Sequence, residues 1–527
     1  MYSHSGGDNA LSAITQGKST TTNMDRIQTV TSRVAYEHTA ADAGPAARVP
    51  IEVRISVDDP FEAFRAVEEA HNAVLLETSG GHEGWSYIGL DPERHIQVRA
   101  PMEAHLGDGS PTLAELQAAL DAETLVRGEC SVPYPCGIIG WLSYEISREL
   151  EPQIPARASE TLPRAQFAIF PTMIAWQEPS TAPTLLHITG CPRVGDDPAG
   201  TYQSTVSTLT EIGQTIQAEA HPGNHVDTAA QIAFESMTGP VRFATKVRAI
   251  KAAIRAGDTF QTNLSHRLDA PAQLDPLSVY AALREVNPAP YSGLLRFPGM
   301  TLISASPELL LSVEGDRLVT EPIAGTRPRG DDAAADARFE AELTGDEKER
   351  AEHAMLVDLE RNDLGKVCEY GSVEVTEYRR VDRYAEVMHL VSVVEGRRRE
   401  GVGLTDAIAA MFPGGTITGA PKPKTMELIA THEDRPRGPY TGSMGIFGFD
   451  DRATLNIIIR TIEVHGGRFG LQVGAGIVHD SDPEREYSET MDKARGLVRA
   501  VDAALAPTQQ VKIAEAQARS QEVSERS

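Results

Sequence analysis

Residues 453–478, ATLNIIIRTIEVHGGRFGLQVGAGIV, hold two apolar stretches on either side of Gly466-Gly467. A glycine pair between two alternating stretches is typical of the tight turn of a β-hairpin. Residues 301–323, TLISASPELLLSVEGDRLVTEPI, alternate in the same way around a second turn. These two segments predict long strands joined by short turns in the second half of the chain.

Helical spacing of apolar residues occurs in three other segments. They are residues 242–256, which end before the candidate C-cap Gly257, residues 346–367 and residues 482–505. Long strands that mix with helices, without strict β-α-β alternation, predict the α+β class.

The composition is strongly acidic. The 527 residues include 75 Asp and Glu against 49 Lys and Arg, which gives a formal net charge of −26. Such a chain is a poor partner for nucleic acid and for an anionic membrane surface, because both need clustered cationic side chains. With 41% hydrophobic residues it is also not a disordered polyanion. Only nine of the cationic residues are lysines, so we predict a halophilic protein whose self-repulsion is screened by salt.

The cysteines and the hydropathy pattern predict a cytoplasmic protein. The four cysteines form no C-x-x-C pair, which leaves zinc and thioredoxin-like sites without support. Sparse, irregular cysteines suit a reducing compartment. We see no apolar run long enough for a membrane span and no basic and apolar signal-peptide pattern.

The chain divides by composition into four parts. Residues 1–48 are predicted to be a disordered acidic tail, and residues 507–527 a second tail. An N-terminal region spans 49–225 and a denser, motif-rich region spans 236–503. Residues 195–235 are polar and punctuated by glycine and proline, which is typical of a linker.

Two carboxylate pairs lie on predicted helices. Glu349 and Glu352 are three residues apart, and Glu486 and Glu489 repeat the spacing, so each pair shares a helix face. Four carboxylates on two helices would form an all-oxygen site that suits Mg²⁺. Either pair alone would indicate an ordinary solvated helix face, but the two together favour a site.

Other motifs could bind anions or move protons. Glycines in VGAGIV allow backbone N–H groups to approach a carboxylate, and Arg460 ends a buried stretch where a ligand carboxylate could pair with it. The segment 412–427, FPGGTITGAPKPKTME, lacks the spacing of a nucleotide-binding phosphate loop. Glu308 lies among apolar strand residues, where burial would raise its pKa as a general acid requires. His389 has an apolar context that also suits an ordinary core histidine.

These motifs, in this order, resemble the chorismate-utilising enzymes: component I of anthranilate synthase and of aminodeoxychorismate synthase, and more distantly isochorismate and salicylate synthases. The resemblance covers about residues 50–503. It implies a large two-sheet β-sandwich with flanking helices. Region 49–225 would be the part like the N-terminal region of anthranilate synthase component I, and 236–503 the chorismate-binding catalytic domain.

The resemblance also implies roles for individual residues. Glu352 and Glu489 would bind Mg²⁺, with Glu349 and Glu486 behind them. Glu308 would protonate the C4 hydroxyl that leaves, with His389, Gln261 and Thr418 as further catalytic residues. The implied substrate-binding residues are Arg460, Tyr440, Lys493, Gly474, Gly476, Ala324, Gly325, Thr326, Gly419 and Lys422. A possible remnant of a tryptophan site comprises Leu76, Glu77, Thr78, Asn287, Pro288, Pro290 and Tyr291.

A few positions indicate which enzyme of this family the sequence resembles most. Gln261 stands where isochorismate and salicylate synthases carry a lysine that activates water, so the resemblance implies amination. Ala324 stands where one class of aminodeoxychorismate synthase has a nucleophilic lysine, which leans toward anthranilate synthase, although another class of aminodeoxychorismate synthase also has alanine there. The motifs PGGTITGAPK (413–422) and YTGSMG (440–445) resemble aminodeoxychorismate synthases. On balance the sequence favours aminodeoxychorismate synthase, with anthranilate synthase component I as the alternative.

The nitrogen source is expected to be a separate subunit. A glutamine amidotransferase needs a nucleophilic cysteine in G-x-C-x-G, and no cysteine of this sequence, including Cys136 in PYPCGIIG, has that context. We therefore expect a glutamine amidotransferase partner, component II, that delivers ammonia to this chain.

Overall fold

Two large β-sheets carry the architecture, and helices cover their outer faces. The computed structural model describes residues 27–99, 109–155, 162–218, 232–384, 387–505 and 512–514. Within these residues there are 14 strands in the first sheet, 10 in the second, and twelve α-helices. The predicted α+β class is confirmed, as is the two-sheet sandwich with flanking helices.

The first sheet is antiparallel apart from its β10–β24 pair. Its strands, in spatial order, are β1 (Gln28–Thr29), β2 (Ile51–Val57), β9 (Thr184–Gly190), β8 (Thr172–Glu178), β4 (Gly84–Leu90), β3 (Val74–Glu77), β12 (Tyr291–Phe297), β13 (Met300–Ser306), β22 (Thr461–His465), β23 (Arg468–Ile477), β11 (Gln261–Pro271), β10 (Ala233–Ser236) and β24 (Lys512–Ala514), and β19 (Gly419–Ala420) pairs with β11.

The second sheet is antiparallel throughout its described strands. In spatial order these are β16 (Ile323–Pro328), β18 (Val387–Arg397), β15 (Arg317–Glu321), β14 (Leu309–Glu314), β21 (Arg452–Asn456), β20 (Ser443–Phe447), β6 (Gly137–Leu142), β7 (Ala165–Phe170) and β5 (Arg94–Val98), and β17 (Glu374–Arg383) pairs with β18.

The helices connect the strands and cover the sheets. They are α1 (Arg33–Ala43), α2 (Pro60–Val67), α3 (Pro111–Asp121), α4 (Ser147–Leu150), α5 (Pro198–Gln217), α6 (Gly239–Ala256), α7 (Pro276–Val286), α8 (Ala333–Gly345), α9 (Glu347–Gly365), α10 (Leu404–Met411), α11 (Lys422–His432) and α12 (Pro483–Ala503). No helix of the described residues has the length and apolar character to cross a membrane.

Local signals set the ends of the elements that carry the site. The Asp346 carboxylate caps α9 by accepting hydrogen bonds from the Lys348 and Glu349 backbone N–H groups at 2.9 and 3.2 Å. Helix α6 ends at Gly257 with φ +84°, the left-handed C-cap that the sequence predicted. Gly466 and Gly467, both with positive φ, make the predicted turn between β22 and β23.

Three apolar layers hold the sandwich together. Between the sheets, side chains such as Trp141 of β6 and Leu302 of β13 form a shared, fully buried core. Helices α1, α2, α5, α7 and α12 pack on the first sheet, and α3, α9 and α10 pack on the second. Burial at about 25 cal/mol per Å² of apolar surface makes these layers the main source of stability.

Both sheets are shared between the two halves of the sequence. Strand β3 pairs with β12 in the first sheet, and β6 pairs with β20 in the second. The boundary predicted near residue 225 therefore separates regions of sequence, but the strands on its two sides hydrogen-bond to one another in both sheets.

Two predictions about irregular segments were wrong. Residues 27–48 of the expected tail include β1 and α1, whose Tyr36 and Ala40 are buried. Helix α5 occupies much of the expected linker and packs on β2 and β9. Both segments are polar in composition, and a few apolar residues, such as Leu209 and Ile212, suffice to dock them on an existing sheet. The remaining tail residues, apart from 512–514, lie outside the described residues.

Candidate active site

The chain crosses between the two sheets at two neighbouring points. Pro307 and Glu308 connect β13 to β14, and residues 457–460 connect β21 to β22. The crossings are tied together, because the Ile457 N–H donates to the Glu308 carbonyl at 3.0 Å and the Ala305 N–H donates to the Arg460 carbonyl at 3.2 Å. The Glu308 and Arg460 side chains, far apart in sequence, thus start from the same place between the sheets.

Arg460 adopts an unusual backbone conformation at this crossing. Its φ is +49°, a left-handed value that costs a non-glycine residue of order 1 kcal/mol or more. Thr441, which follows Tyr440 in sequence, has φ +59°. Two such residues in predicted substrate-binding segments are consistent with strain that clusters at functional sites.

Glu308 is an acid that is close to half protonated near neutral pH. Its side chain is 4% exposed, and burial raises its pKa to about 7. The Thr416 hydroxyl, the Ile323 N–H at 3.3 Å and the Arg460 charge partly offset that effect. The Thr416 hydroxyl has no partner with full hydrogen-bond geometry within the described residues. We therefore treat its approach to Glu308 as a weak polar contact.

His389 orients Arg460 and carries no charge at neutral pH. Burial, with the nearby Arg460 charge, lowers the His389 pKa to about 3. Arg460 lies 3.1 Å from His389 Nε2, and a guanidinium only donates, so Nε2 is the acceptor. The ring proton is therefore on Nδ1, which faces the Thr326 hydroxyl at 2.9 Å and the Gly325 carbonyl at 3.3 Å. His389 was predicted to be catalytic, and its contacts fit a positioning role.

Gln261, the first residue of β11, contacts Glu352 of α9. Gln261 Nε2 donates to Glu352 Oε1 at 2.7 Å, an assignment that follows because a carboxylate only accepts. In the described part of the chain, the buried Gln261 Oε1 has no hydrogen-bond partner. Gly476 leaves room for this pair, since a Cβ there would lie 2.7 Å from Gln261 Nε2.

A second glycine brings cationic and aromatic groups together. A Cβ on Gly474 would lie 2.8 Å from both the Tyr440 hydroxyl and Asn263 Oδ1. The Gly474 carbonyl accepts a hydrogen bond from Lys493 Nζ at 3.0 Å. The predicted residues Tyr440, Lys493 and Gly474 therefore adjoin one another.

The four predicted metal ligands come from α9 and α12, as expected. Burial and the neighbouring Glu349 raise the pKa of Glu352, and the charge of Glu489 on the other helix adds to the effect. Burial and Glu489 likewise raise the pKa of Glu486. No group of three potential ligands among the described residues already has the spacing of a complete metal site. Mutually repelling carboxylates fit a hard cation that completes its shell with water and substrate.

Neighbouring charges hold two of these carboxylates. Glu489 Oε1 accepts a hydrogen bond from Lys493 at 2.9 Å, and Glu349 Oε1 accepts one from Arg327 at 3.1 Å. Gly325, whose φ is +80°, faces Glu349 so closely that a Cβ would lie 3.1 Å from its Oε2. Ala324, its buried neighbour on β16, pairs with Leu390.

The glycine-rich loop before α11 differs from the prediction. Lys422 was expected to bind substrate, but it is buried and its ammonium group pairs with Asp363 and donates to the Met411 carbonyl. The fully buried Thr418 hydroxyl donates to the Gly414 carbonyl at 2.8 Å, so it orders the loop. Gly419 lies against β11, where a Cβ would be 2.1 Å from the Gln261 carbonyl oxygen.

Sequence reasoning missed Arg437, which holds Tyr440 and the residues around it in place. It is 1% exposed, and it donates to Glu433 at 2.7 and 3.0 Å and to the Asn263 carbonyl at 2.8 Å. Its guanidinium also stacks on Tyr144 and Tyr440, with 4.6 and 5.6 Å to the ring centroids. The segment DRPRGP resembles an ordinary polar loop, so the sequence offers no signal for this role.

A separate cavity of about 440 Å³ lies between the sheets, beside the β3–β12 pair. Of the predicted tryptophan-site residues, Leu76, Glu77, Thr78, Pro290 and Tyr291 line it. Asn287 and Pro288 are not part of the described lining, and Asn287 instead ends α7. Glu77 is held in place by hydrogen bonds from the Tyr280 hydroxyl at 2.6 Å and from Arg284 at 2.7 Å.

Comparison with known proteins identifies the family. The sequence profile described as chorismate binding enzyme matches residues 71–499. The chain is 55% identical over 484 residues to anthranilate synthase component 1 3 of Haloarcula marismortui, covering 92% of this chain and 96% of that protein. It is 39% identical over 452 residues to aminodeoxychorismate synthase component 1 of Bacillus subtilis, covering 84% and 94%. The crystal structure of anthranilate synthase component I from Streptococcus pneumoniae superposes with a TM-score of 0.67 at 30% identity, over 78% of this chain and 92% of that one. The chain belongs to the chorismate-binding enzymes.

Proposed function

We propose that this protein is the synthase subunit of an anthranilate synthase, which aminates chorismate and releases anthranilate and pyruvate. The observation that carries an aminating reaction is the neutral Gln261, which donates to Glu352 Oε1 at 2.7 Å at the position where the hydroxylating relatives would carry a lysine. The buried Glu308 beside Arg460, with a pKa of about 7, would supply the acid. The choice of product is supported by the relative at 55% identity, which is named as anthranilate synthase component 1, against 39% for the aminodeoxychorismate synthase.

The residues suggest a division of work on chorismate. Glu308 donates its proton to the C4 oxygen as the C4–O bond breaks, and water leaves. Ammonia forms the new bond at C2, and the unpartnered Gln261 Oε1 can accept one of its N–H groups. Arg460, Tyr440, Lys493 and the two glycines would hold the enolpyruvyl carboxylate.

A bound Mg²⁺ would neutralise the ring carboxylate and act as a Lewis acid. Its ligands would be Glu352 and Glu489, with Glu349 and Glu486 behind them; the mutual influence of Glu352, Glu349, Glu486 and Glu489 on their pKa values supports this assignment. The acidic surface is consistent with a salt-rich cytoplasm, and the relative from Haloarcula marismortui agrees with the halophilic interpretation.

Aminodeoxychorismate synthase is the second candidate. The sequence motifs at 413–422 and 440–445 favour it. In the structure, however, Thr418 orders the loop of the first motif and Lys422 pairs with Asp363 on α9. This weakens the motif as evidence about the product.

Product identification separates the two candidates. With chorismate, Mg²⁺ and ammonium at high salt, we expect fluorescent anthranilate together with one equivalent of pyruvate. A non-fluorescent product that a lyase converts to p-aminobenzoate would establish the second candidate. If neither ammonium nor glutamine with a component II subunit supports consumption of chorismate, the enzymatic proposal fails.

A component II amidotransferase is the proposed partner. The relatives are named as component 1, which points to a second subunit, and this sequence has no G-x-C-x-G cysteine. The isolated chain should use ammonium but not glutamine. Equally efficient use of glutamine by the isolated chain would contradict the proposal.

We further propose that the 440 Å³ cavity binds tryptophan as a regulator. Tryptophan at about 100 times its Kd should stabilise the folded protein by roughly 2.7 kcal/mol, visible as a higher Tm. Ser292→Trp fills the cavity from β12 and should remove that shift. The absence of both a Tm shift and inhibition in the wild-type protein would show that the cavity does not bind tryptophan.

A further inference from the structure

A second buried carboxyl group lies outside the predicted substrate-binding residues. Glu360, on α9, is 3% exposed. Its Oε1 accepts a hydrogen bond from the Gly415 N–H at 3.0 Å, whereas Oε2 has no hydrogen-bond partner within the described part of the chain. A buried carboxylate oxygen without a donor is costly, which favours a protonated group at this position.

Glu360 and Glu308 are next to adjacent residues of one loop. Glu360 bonds to Gly415, and the next residue, Thr416, brings its hydroxyl to Glu308. A Cβ on Gly415 would lie 2.9 Å from Glu360 Oε1, so the glycine allows this close approach. The negative charge of Glu308 is also felt at Glu360.

On its other side, Glu360 adjoins charged groups that reach the surface. Lys422 on α11 and Asp363 on α9 form a buried ion pair next to it. Asp363 also accepts a hydrogen bond from Lys366 at 2.8 Å, and the Lys366 side chain is 53% exposed. Burial raises the Glu360 pKa to about 8, and Lys422, Asp363 and Glu308 are the charged groups that face it.

The chemistry of the proposed function creates a need for such a group. In each turnover Glu308 gives its proton to the C4 oxygen, which leaves as water, and ammonia releases a proton after the C2–N bond forms. The Glu308 carboxylate must therefore regain one proton before the next turnover.

We propose that Glu360, with Asp363 and Lys422, returns a proton to Glu308 from the solvent side at Lys366. This inference rests on the proposed function. Glu360 is a positioning and relay residue in this scheme, because it acts through Glu308 and makes no contact with the substrate.

Glu360→Gln tests the relay, since the amide keeps an acceptor for Gly415 but cannot transfer the proton. In rapid-quench experiments near pH 6.5 with Mg²⁺ and ammonium, the first turnover should proceed at the wild-type rate. Later turnovers should slow by at least about 10-fold. Their rate should rise with the concentration of a small buffer acid. Glu360→Asp, which retains a carboxyl group, should recover multiple turnovers.

Asp358→Asn is the matched control on the same helix, because the Asp358 side chain is 73% exposed and pairs with Arg361. It should behave as the wild type. Equal slowing of the first and later turnovers in Glu360→Gln would show a purely structural role, and unchanged later turnovers would also overturn the relay. A wild-type protein that consumes no chorismate would instead refute the proposed function.

Discussion

Glu308→Gln is expected to lower kcat/KM for chorismate by about 10²- to 10⁴-fold, the usual contribution of a general acid. Glutamine has nearly the same size and can still accept the Ile323 N–H, but it has no proton to give to the C4 oxygen. Chorismate binding, measured by calorimetry, should change little, because the proposed carboxylate clamp is intact.

The pH dependence of kcat/KM also tests the role of Glu308 as the acid. The active form of Glu308 is the protonated one, and burial raises its pKa to about 7. At constant free ammonia, wild-type kcat/KM should be flat below that pH and should fall about tenfold per unit above it. The residual activity of Glu308→Gln should lack this descending limb. A variant that keeps both the rate and the limb would remove Glu308 as the acid.

Glu427→Gln is the control for this pair of measurements. Glu427 lies on α11, its side chain is 48% exposed, and its partner is Lys424. Loss of an exposed ion pair is worth at most about 1 kcal/mol and should leave the pH profile unchanged.

Glu489→Gln is expected to raise the Mg²⁺ concentration for half-maximal activity by well over 10-fold, since even partners outside the ligand shell contribute 10- to 100-fold to metal affinity. The change removes one negative charge from the four proposed metal-binding carboxylates of α9 and α12. Isothermal titration with Mg²⁺ alone should show the same loss, which separates metal binding from turnover.

Glu484→Gln is the matched control for the metal prediction. Glu484 lies in the first turn of α12, but its carboxylate pairs with Arg248 on α6. Its Mg²⁺ dependence should equal that of the wild type. Unchanged Mg²⁺ affinity in Glu489→Gln would exclude it as a ligand and would leave Glu352 as the centre of the site.

Much of the site could be predicted from the sequence because its chemistry is local. Local sequence is enough to find some of the features. Among these are a carboxyl group between apolar strand residues, two Glu-x-x-Glu helices and two glycines in a strand. The structure brings Gln261 to Glu352 and Lys493 to Gly474. The errors concern groups with several possible partners. Lys422 pairs with Asp363, which folding places beside it, and no pattern in the sequence predicts that pair.

The sequence by itself determined the fold class, the turns at Gly257 and Gly466-Gly467, and the residue types available for acid, metal and anion chemistry. Only the tertiary structure decided how those groups behave. It places Glu308 and Arg460 at adjacent crossings between the sheets, leaves His389 neutral and pairs Arg437 with Glu433. The physical reason is that the sequence gives the type of each side chain directly. Burial and pairing, and therefore pKa, depend on strands and helices that come together from distant parts of the chain.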